Sequence, residues 1–160
     1  MLRMSCRVAG LTFALAMLVG LGAAGPARAA ADLDPKAINI QIPKDIKWVR
    51  NAAGTAESVT LVGDPSKPGL YVVLQKWLPH NNSRPHSHPN DRFIMVLSGT
   101  WWVNTGSNYD PDGMKPVSAG SFVTHYGKEF HYDGAKDAEC ILEIVGMGPA
   151  TNTPAPAPQK

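Results

Sequence analysis

The chain has 160 residues, and its 15 Lys and Arg against 13 Asp and Glu give a formal net charge of +2 at pH 7. This length suits one domain with a core of its own. Three of the basic residues, Arg3, Arg7 and Arg28, lie in the first thirty positions, so 12 basic residues face 13 acidic ones in the rest of the chain. A balance this close excludes the basic surface that nucleic acids and anionic membranes require.

Residues 1–29 have the pattern of a secretory signal peptide. Arg3 and Arg7 provide a positive start, an apolar stretch covers residues 11–25, and Ala27-Arg28-Ala29 matches a small-x-small cleavage site. The apolar stretch is shorter than the about 20 residues that a membrane-spanning helix needs. We therefore expect an exported protein, periplasmic or secreted, with no membrane association after the signal is removed.

Residues 30–149 consist of short runs of β-branched and aromatic residues, and no long stretch has helical periodicity. Gly, Pro, Asn and Asp separate the runs, and we interpret Asp133-Gly134 as one of the turns. This pattern predicts a single all-β domain, a sandwich or small barrel. The candidate strands are INIQI, IKWVR, SVTLV, LYVVLQKW, FIMVLSG, TWWVN, SFVTHY and ECILEIVG.

Residues 150–160 end the chain, and the last ten of them form the polar, proline-rich sequence TNTPAPAPQK. Such a composition predicts a disordered tail. Cysteine use is spare as well, because Cys6 is removed with the signal and only Cys140 is left, which excludes an internal disulfide. Cys140 lies in an apolar run, where a buried and unreactive thiol is the favoured interpretation.

All five histidines fall between residues 80 and 131. His86 and His88 are two residues apart, so on a strand both rings project from one face. Imidazole is a ligand of Zn, Fe, Cu, Ni and Mn, but two histidines hold a metal weakly, and a third ligand must come from another strand. The segment THYGKEFHYDG, which carries His125 and His131, is the candidate source.

The spacing of these histidines resembles the two motifs of the cupin superfamily. In HNNSRPHSHPNDRFIMVLSG, His86 and His88 match the family's His-x-His pair, but Arg92 stands where the family has glutamate. In GSFVTHYGKEFH, His131 matches the histidine of the second motif, while Tyr126 and Lys128 stand in the places of proline and glycine. The likeness covers most of the chain after residue 30 and is that of a small exported single-domain cupin.

The resemblance implies a double-stranded β-helix, a jelly-roll-like barrel with a divalent metal bound in its mouth. Carried over by position, His86, His88 and His131 are the metal ligands. Fe(II) is the leading metal, with Mn, Ni, Cu or Zn as alternatives. The family's glutamate ligand has no counterpart here, because a guanidinium has no lone pair to offer a metal.

Three interpretations of Arg92 are open. In one, three histidines hold the metal and Arg92 binds an anionic group of the substrate, much as in the three-histidine site of the thiol dioxygenases. In another, Asp91 or His125 is a fourth ligand, although Asp91 would need a β-bulge to reach the metal. In the third, no metal binds, and Arg92 is a structural partner of an acidic residue such as Asp91, Glu143 or Asp133.

The predicted function is a metal-dependent, dioxygenase-like reaction on a small and possibly anionic molecule. Its candidate catalytic residues are Arg92, His125 as a proton shuttle or a hydrogen-bonded support, and Tyr126 as a phenol donor. The alternatives are a non-catalytic cupin that binds a small ligand and a structural role for a degenerate barrel. The uncharged strand FIMVLSG also fits a homodimer contact.

Overall fold

The computed structural model describes Asp34 and residues 36–157, so the predicted signal peptide lies outside the described residues. The chain divides into two units after Ile40. In the first unit, the described residues form a turn in which the carbonyl of Asp34 accepts hydrogen bonds from the amides of Ala37 and Ile38. The described part of the chain contains no helix of the length and apolarity required to span a membrane.

The second unit consists of two antiparallel sheets, preceded by a 3₁₀ turn at Pro43–Asp45. In spatial order, the first sheet contains β1 (Val49–Arg50), β2 (Ala56–Val62), β3 (Gly69–Trp77), β11 (Cys140–Gly148), β6 (Arg92–Ser98) and β9 (Phe122–His125). The second contains β12 (Thr153–Pro154), β5 (His86–Ser87), β10 (His131–Ala135), β7 (Thr100–Thr105) and β8 (Lys115–Ser118), and β4 (Asn81–Asn82) also pairs with β10. The predicted all-β class is confirmed.

The core lies between the inner faces of the two sheets. Alternate residues of β11 and β6 point inward, and Leu142, Ile94 and Val96 are almost completely buried against Trp101 of β7. Burying one such aliphatic side chain stabilises the fold by about 1.5–3 kcal/mol. Phe93, on the outer face of β6, is 45% exposed, so the described chain leaves this apolar face uncovered.

The structure places no strand at INIQI, where apolar alternation predicted one. These residues precede the 3₁₀ turn, and Ile38, Ile40 and Ile42 are exposed. Alternation predicts a strand only where a partner strand supplies hydrogen bonds and covers one face, and the described residues offer none at this point. The prediction was therefore wrong here.

The predicted turn at Asp133-Gly134 is also wrong, because both residues belong to β10. The Asp133 side chain is buried, and its carboxylate accepts hydrogen bonds from indole N–H groups. Gly134 is opposite Asn82 of β4, and a Cβ on Gly134 would collide with the backbone of β4. Two residues typical of turns thus occupy a strand. Asp133 is there because its carboxylate accepts the indole hydrogen bonds, and Gly134 because β4 lies too close for a side chain.

The described part of the predicted tail, which ends at residue 157, contains a short paired strand where composition predicted disorder. Thr153 pairs with Ser87, Pro154 pairs with His86, and the amide of Ala155 donates to the carbonyl of Pro85. Proline is compatible with this position because β12 is an edge strand, where a missing N–H breaks no further ladder. The ordered segment runs beside the first histidine motif.

Candidate metal centre

Three histidines from two segments meet between the sheets. His86 lies on β5 and pairs with His131 on the neighbouring strand β10. His88 is the first residue after β5. All three side chains are buried, and one ligand atom from each lies within 4.8 Å of the others. The structure thus brings together the three predicted ligands, which come from separate motifs of the sequence, and three such buried histidines can hold a metal ion.

Hydrogen bonds to carbonyl groups assign the same tautomer to each ring. The Nδ1 atoms of His86, His88 and His131 lie 2.7, 2.9 and 3.1 Å from the backbone oxygens of Arg84, Thr151 and Glu129, respectively. A carbonyl oxygen can only accept, so each Nδ1 carries the proton and each Nε2 keeps its lone pair. Metal-ligating histidines are typically oriented in this way.

Two of these unprotonated nitrogens have the spacing that a shared ion requires. Nε2 of His86 and Nε2 of His88 are 3.1 Å apart. Two nitrogens that each lie about 2.0–2.1 Å from one metal are about 3 Å apart when they are adjacent ligands. With the proton on Nδ1 of each ring, neither Nε2 atom can donate a hydrogen bond to the other. Their close approach is therefore better explained by a shared metal ion than by a hydrogen bond.

The pKa values of His88 and His131 favour the neutral form that binds metal. Burial is the main cause, with the nearby charge of Arg92 adding to it, and together they lower the pKa of His88 to about 3. Burial likewise lowers the pKa of His131 to about 4. Both imidazoles are therefore neutral at pH 7, as metal binding requires.

Arg92 borders this group. It starts β6 directly opposite His125 of β9, and its Nη2 donates hydrogen bonds to Nδ1 of His125 at 3.1 Å and to Nε2 of His131 at 3.4 Å. Its Nε is buried without a hydrogen-bond partner. Burial lowers the pKa of Arg92, but guanidinium deprotonates only well above physiological pH, so the group remains a cation.

Neither proposed fourth ligand joins the three histidines among the described residues. The carboxylate of Asp91 instead accepts a hydrogen bond from the amide of Gly127 at 2.7 Å, which secures the turn before β10. The ring of His125 contacts that of His131 at a tilt of 41° with centroids 3.8 Å apart, and its Nδ1 accepts a hydrogen bond from Arg92. Burial lowers the pKa of His125 to about 3, so it is a neutral acceptor that orients the guanidinium.

Tyr126 lies apart from these residues, because its side chain is 65% exposed. It occupies the turn between β9 and β10, where the neighbouring Lys128 amide donates to the carbonyl of His88 at 2.6 Å. Lys128 has a φ of 70°, a left-handed conformation at the place where the cupin motif has glycine. Lys128 therefore adopts the left-handed backbone conformation that glycine would adopt at this position of the motif.

From the sequence, Asp133 was predicted to lie in a turn and to be among the possible acidic partners of Arg92, and the buried environment of its carboxylate was not predicted. Its Oδ2 accepts from the indole N–H of Trp77 at 3.1 Å and of Trp101 at 2.9 Å, and Ser83 Oγ lies 3.2 Å from Oδ1. Burial raises the pKa of Asp133, but the interactions with His125 and with the permanent cation Arg92 outweigh it and lower the pKa. Asp133 is thus a buried anion, and its i, i+2 spacing from His131 was the signal that it shares the inward face.

Arg92 and Asp133 attract each other as charges at longer range but do not form an ion pair. Among the described residues, no carboxylate lies within 4.0 Å of the guanidinium of Arg92. Both side chains line a cavity of about 160 Å³ together with His86 and His88. A second cavity of about 170 Å³ shares Arg92 and Gln75 with the first and adds the side chain of Tyr71. Pockets for drug-sized ligands measure about 300–1,000 Å³, so these cavities suit a smaller molecule.

The sequence matches no protein-family model and no curated protein. The structure, in contrast, is similar to solved structures of low sequence identity. The polyketide cyclase RemF from Streptomyces resistomycificus has a TM-score of 0.61 at 17% identity, over 76% of this chain and 88% of its own. An uncharacterised protein with a double-stranded β-helix domain from Klebsiella pneumoniae has a TM-score of 0.53 at 18% identity, over 69% of this chain and 92% of its own.

A cupin-like protein from Thermotoga maritima has a TM-score of 0.52 at 18% identity, over 68% of this chain and 80% of its own. Identities this low establish the fold and leave the activity open. The strand order and the similarity to these structures confirm the double-stranded β-helix, which was predicted from the two histidine motifs.

Proposed function

Because the chain has the cupin fold, we propose that it binds a divalent metal ion through His86, His88 and His131 and acts on a small anionic molecule. One observation carries the proposal. Each of the three rings donates its Nδ1 proton to a backbone carbonyl, which leaves Nε2 as the unprotonated nitrogen of each ring, and the three residues bring one ligand atom each within 4.8 Å of the others. Carbonyl partners that fix the tautomer in this way are typical of metal-ligating histidines.

Fe(II) is the metal we propose, because imidazole ligands suit it and it supports dioxygen chemistry; Mn, Ni, Cu and Zn are the alternatives. When bound, the metal would supply Lewis acidity and, in the case of iron, activation of dioxygen. Three neutral ligands leave its charge uncompensated. The buried carboxylate of Asp133, which lines the same cavity, offsets part of the charge of the metal and of Arg92.

Arg92 is the residue we propose for substrate recognition. Its permanent charge, its unpartnered Nε and its place between two small cavities suit the carboxylate or a similar anionic group of a substrate. His125 orients the guanidinium through Nδ1. Tyr126 could donate its phenol to the substrate only after turning inward from its exposed position.

The proposed reaction class is oxygenase-like. A second class is a reaction without dioxygen, because RemF, which has a similar fold, is named a polyketide cyclase. A non-catalytic binding protein is the remaining alternative. Oxygen uptake by the iron-loaded protein in the presence of candidate carboxylates separates the first class from the other two.

Export and dimer formation belong to the proposal as well. The signal-like sequence of residues 1–29 supports a periplasmic or secreted location. The exposed apolar side chains of Phe93 and Phe122, whose rings stack with centroids 6.3 Å apart on the outer sheet face, support a homodimer. Light scattering of the purified protein, with Phe93→Ser as a comparison, tests the dimer.

Metal analysis of protein purified without a histidine tag tests the metal site. We expect about one equivalent of divalent metal after reconstitution, and loss of that metal in His86→Ala and His131→Ala. His80→Ala is the matched control, because His80 is a loop residue outside the group of three. A wild-type protein that binds far less than one equivalent after reconstitution would falsify the proposal.

A further inference from the structure

The C-terminal strap, which we define as residues 151–155, follows the core strands and runs along β5. It forms an antiparallel pair with His86–Ser87, and the amide of Ala155 donates to the carbonyl of Pro85 at 2.9 Å. Asn152 lines the same cavity as His86 and His88. The strap is thus the neighbour of the first histidine motif in the second sheet and one wall of the site.

The three rings differ in where their carbonyl partners come from. His86 and His131 each donate to a carbonyl two residues earlier in their own segment, so their orientation is local. His88 donates to the carbonyl of Thr151, 63 residues later in the chain. One ring of the three therefore depends on the docking of a remote segment.

We infer that the C-terminal strap is a positioning element of the metal centre, which holds the His88 ring so that Nε2 faces the other two ligands. The inference rests on the proposed metal site. Without the Thr151 carbonyl, the His88 ring can rotate and change tautomer, and its Nε2 is no longer directed. Loss of such a partner of a ligating histidine typically weakens metal affinity by about 10–100-fold.

The strap is held by few contacts. Residues 151–154 are exposed, and two backbone pairs and one further amide bond connect the strap to β5 and the residue before it. Segments with so few buried contacts open at a lower free energy than the barrel core. Because coupling is reciprocal, a metal that needs the docked strap also holds the strap in place. Metal should therefore slow hydrogen exchange at the Ala155 amide.

The experiment compares two variants that remove the strap's hold with two matched controls. Ala155→Pro deletes the N–H that donates to Pro85, and a chain ending at Ala150 lacks the strap altogether. Ala157→Pro and a chain ending at Ala157 are the controls, because the exposed Ala157 and the residues after it lie beyond the strap. Co²⁺ affinity is measured by titration of each protein, and circular dichroism verifies the fold.

We expect Ala155→Pro to weaken Co²⁺ binding about 10–100-fold and both controls to stay within about twofold of wild type. If the shortened chain fails to fold, Ala155→Pro carries the test. Long-range ¹H–¹⁵N spectra add a second readout: the His88 ring should lose its single Nδ1–H tautomer in Ala155→Pro, while His86 and His131 keep theirs. Wild-type affinity and an unchanged His88 tautomer in a folded Ala155→Pro protein would overturn the inference.

The two proposals fail in different ways. A wild-type protein that binds no Co²⁺ defeats the metal site, and the inference about the strap with it. A wild-type protein that binds Co²⁺ and a chain ending at Ala150 that binds it equally well leave the metal site intact and defeat the strap alone.

Discussion

Nε2 of His86 and Nε2 of His88 lie 3.1 Å apart, although both rings carry their proton on the opposite nitrogen. Two lone pairs at this distance repel each other, and a cation shared between them would turn the repulsion into ligation. The relationship depends on the two carbonyl groups that hold the rings, so in the proposed metal centre the backbone would orient both ligands in advance of the metal.

Metal binding should therefore stabilise the fold. With free Zn²⁺ at about 100 times its dissociation constant, the free energy of unfolding should rise by about 2.7 kcal/mol. His88→Ala should abolish this increment, and His80→Ala should preserve it. Urea denaturation with and without Zn²⁺ measures both. An equal increment in the His88→Ala protein would mean that Zn²⁺ binds elsewhere.

Arg92 should affect metal and anion in opposite directions. Arg92→Gln removes a permanent charge whose guanidinium lies 3.4 Å from Nε2 of His131. We expect tighter Co²⁺ binding, because a like charge is removed, together with at least about tenfold weaker binding of acetate to the metal-loaded protein. Arg92→Lys should retain part of the acetate affinity, since the charge remains but the fork geometry is lost.

Calorimetric titration with acetate measures these affinities. Arg50→Gln is the control, since Arg50 forms an exposed ion pair with Glu57 away from the cavity residues. Acetate affinities that do not change in either Arg92 variant would remove the proposed anion role.

Asp133→Asn should destabilise the fold. The substitution removes a buried charge that accepts the indole hydrogen bonds of Trp77 and Trp101 and compensates the buried Arg92. Loss of one partner of such an arrangement costs about 2–4 kcal/mol. Asp137→Asn, at an exposed position, should change the free energy of unfolding by less than about 0.5 kcal/mol. Guanidinium denaturation measures the free energy of unfolding of both variants. An Asp133→Asn protein as stable as the Asp137→Asn protein would contradict the proposed contribution of the Asp133 charge to stability.

Lys128→Gly should stabilise the protein. Lys128 adopts a φ of 70°, which costs a side chain about 1–2 kcal/mol, whereas glycine adopts it freely. Part of this gain is offset by the greater entropy of glycine in the unfolded chain, so we expect a net gain of about 0.5–1 kcal/mol. Lys115→Gly, within β8, should instead be destabilising by a similar amount. Melting temperatures that fall in both variants would contradict the conformational argument.

Cys140 should be unreactive in the folded protein. Burial raises the pKa of its thiol to about 12, so almost no thiolate is present at about pH 8. In a Cys6→Ser protein, where Cys140 is the remaining cysteine, a thiol reagent at this pH should react only after guanidinium is added. Rapid reaction in buffer alone would show that β11 opens readily.

The sequence by itself determined the features that depend on local pattern. Runs of β-branched and aromatic residues between turn residues identified the long strands, such as β3 and β11, because such side chains favour extended backbone. The spacing of His86, His88 and His131 identified the histidines that meet, and the identity of residue 92 excluded a glutamate ligand there. These conclusions required only neighbours in sequence and a motif of known spacing.

Tertiary structure decided what depends on distant partners. Asp133-Gly134 is a strand because β4 approaches it closely and two indoles bind its carboxylate, which no local propensity expresses. The proline-rich end is ordered beside β5, and it supplies the carbonyl that orients His88. Contacts across tens of residues arise from how the sheets assemble, so composition and periodicity predicted neither the strap nor the direction of the His88 ring.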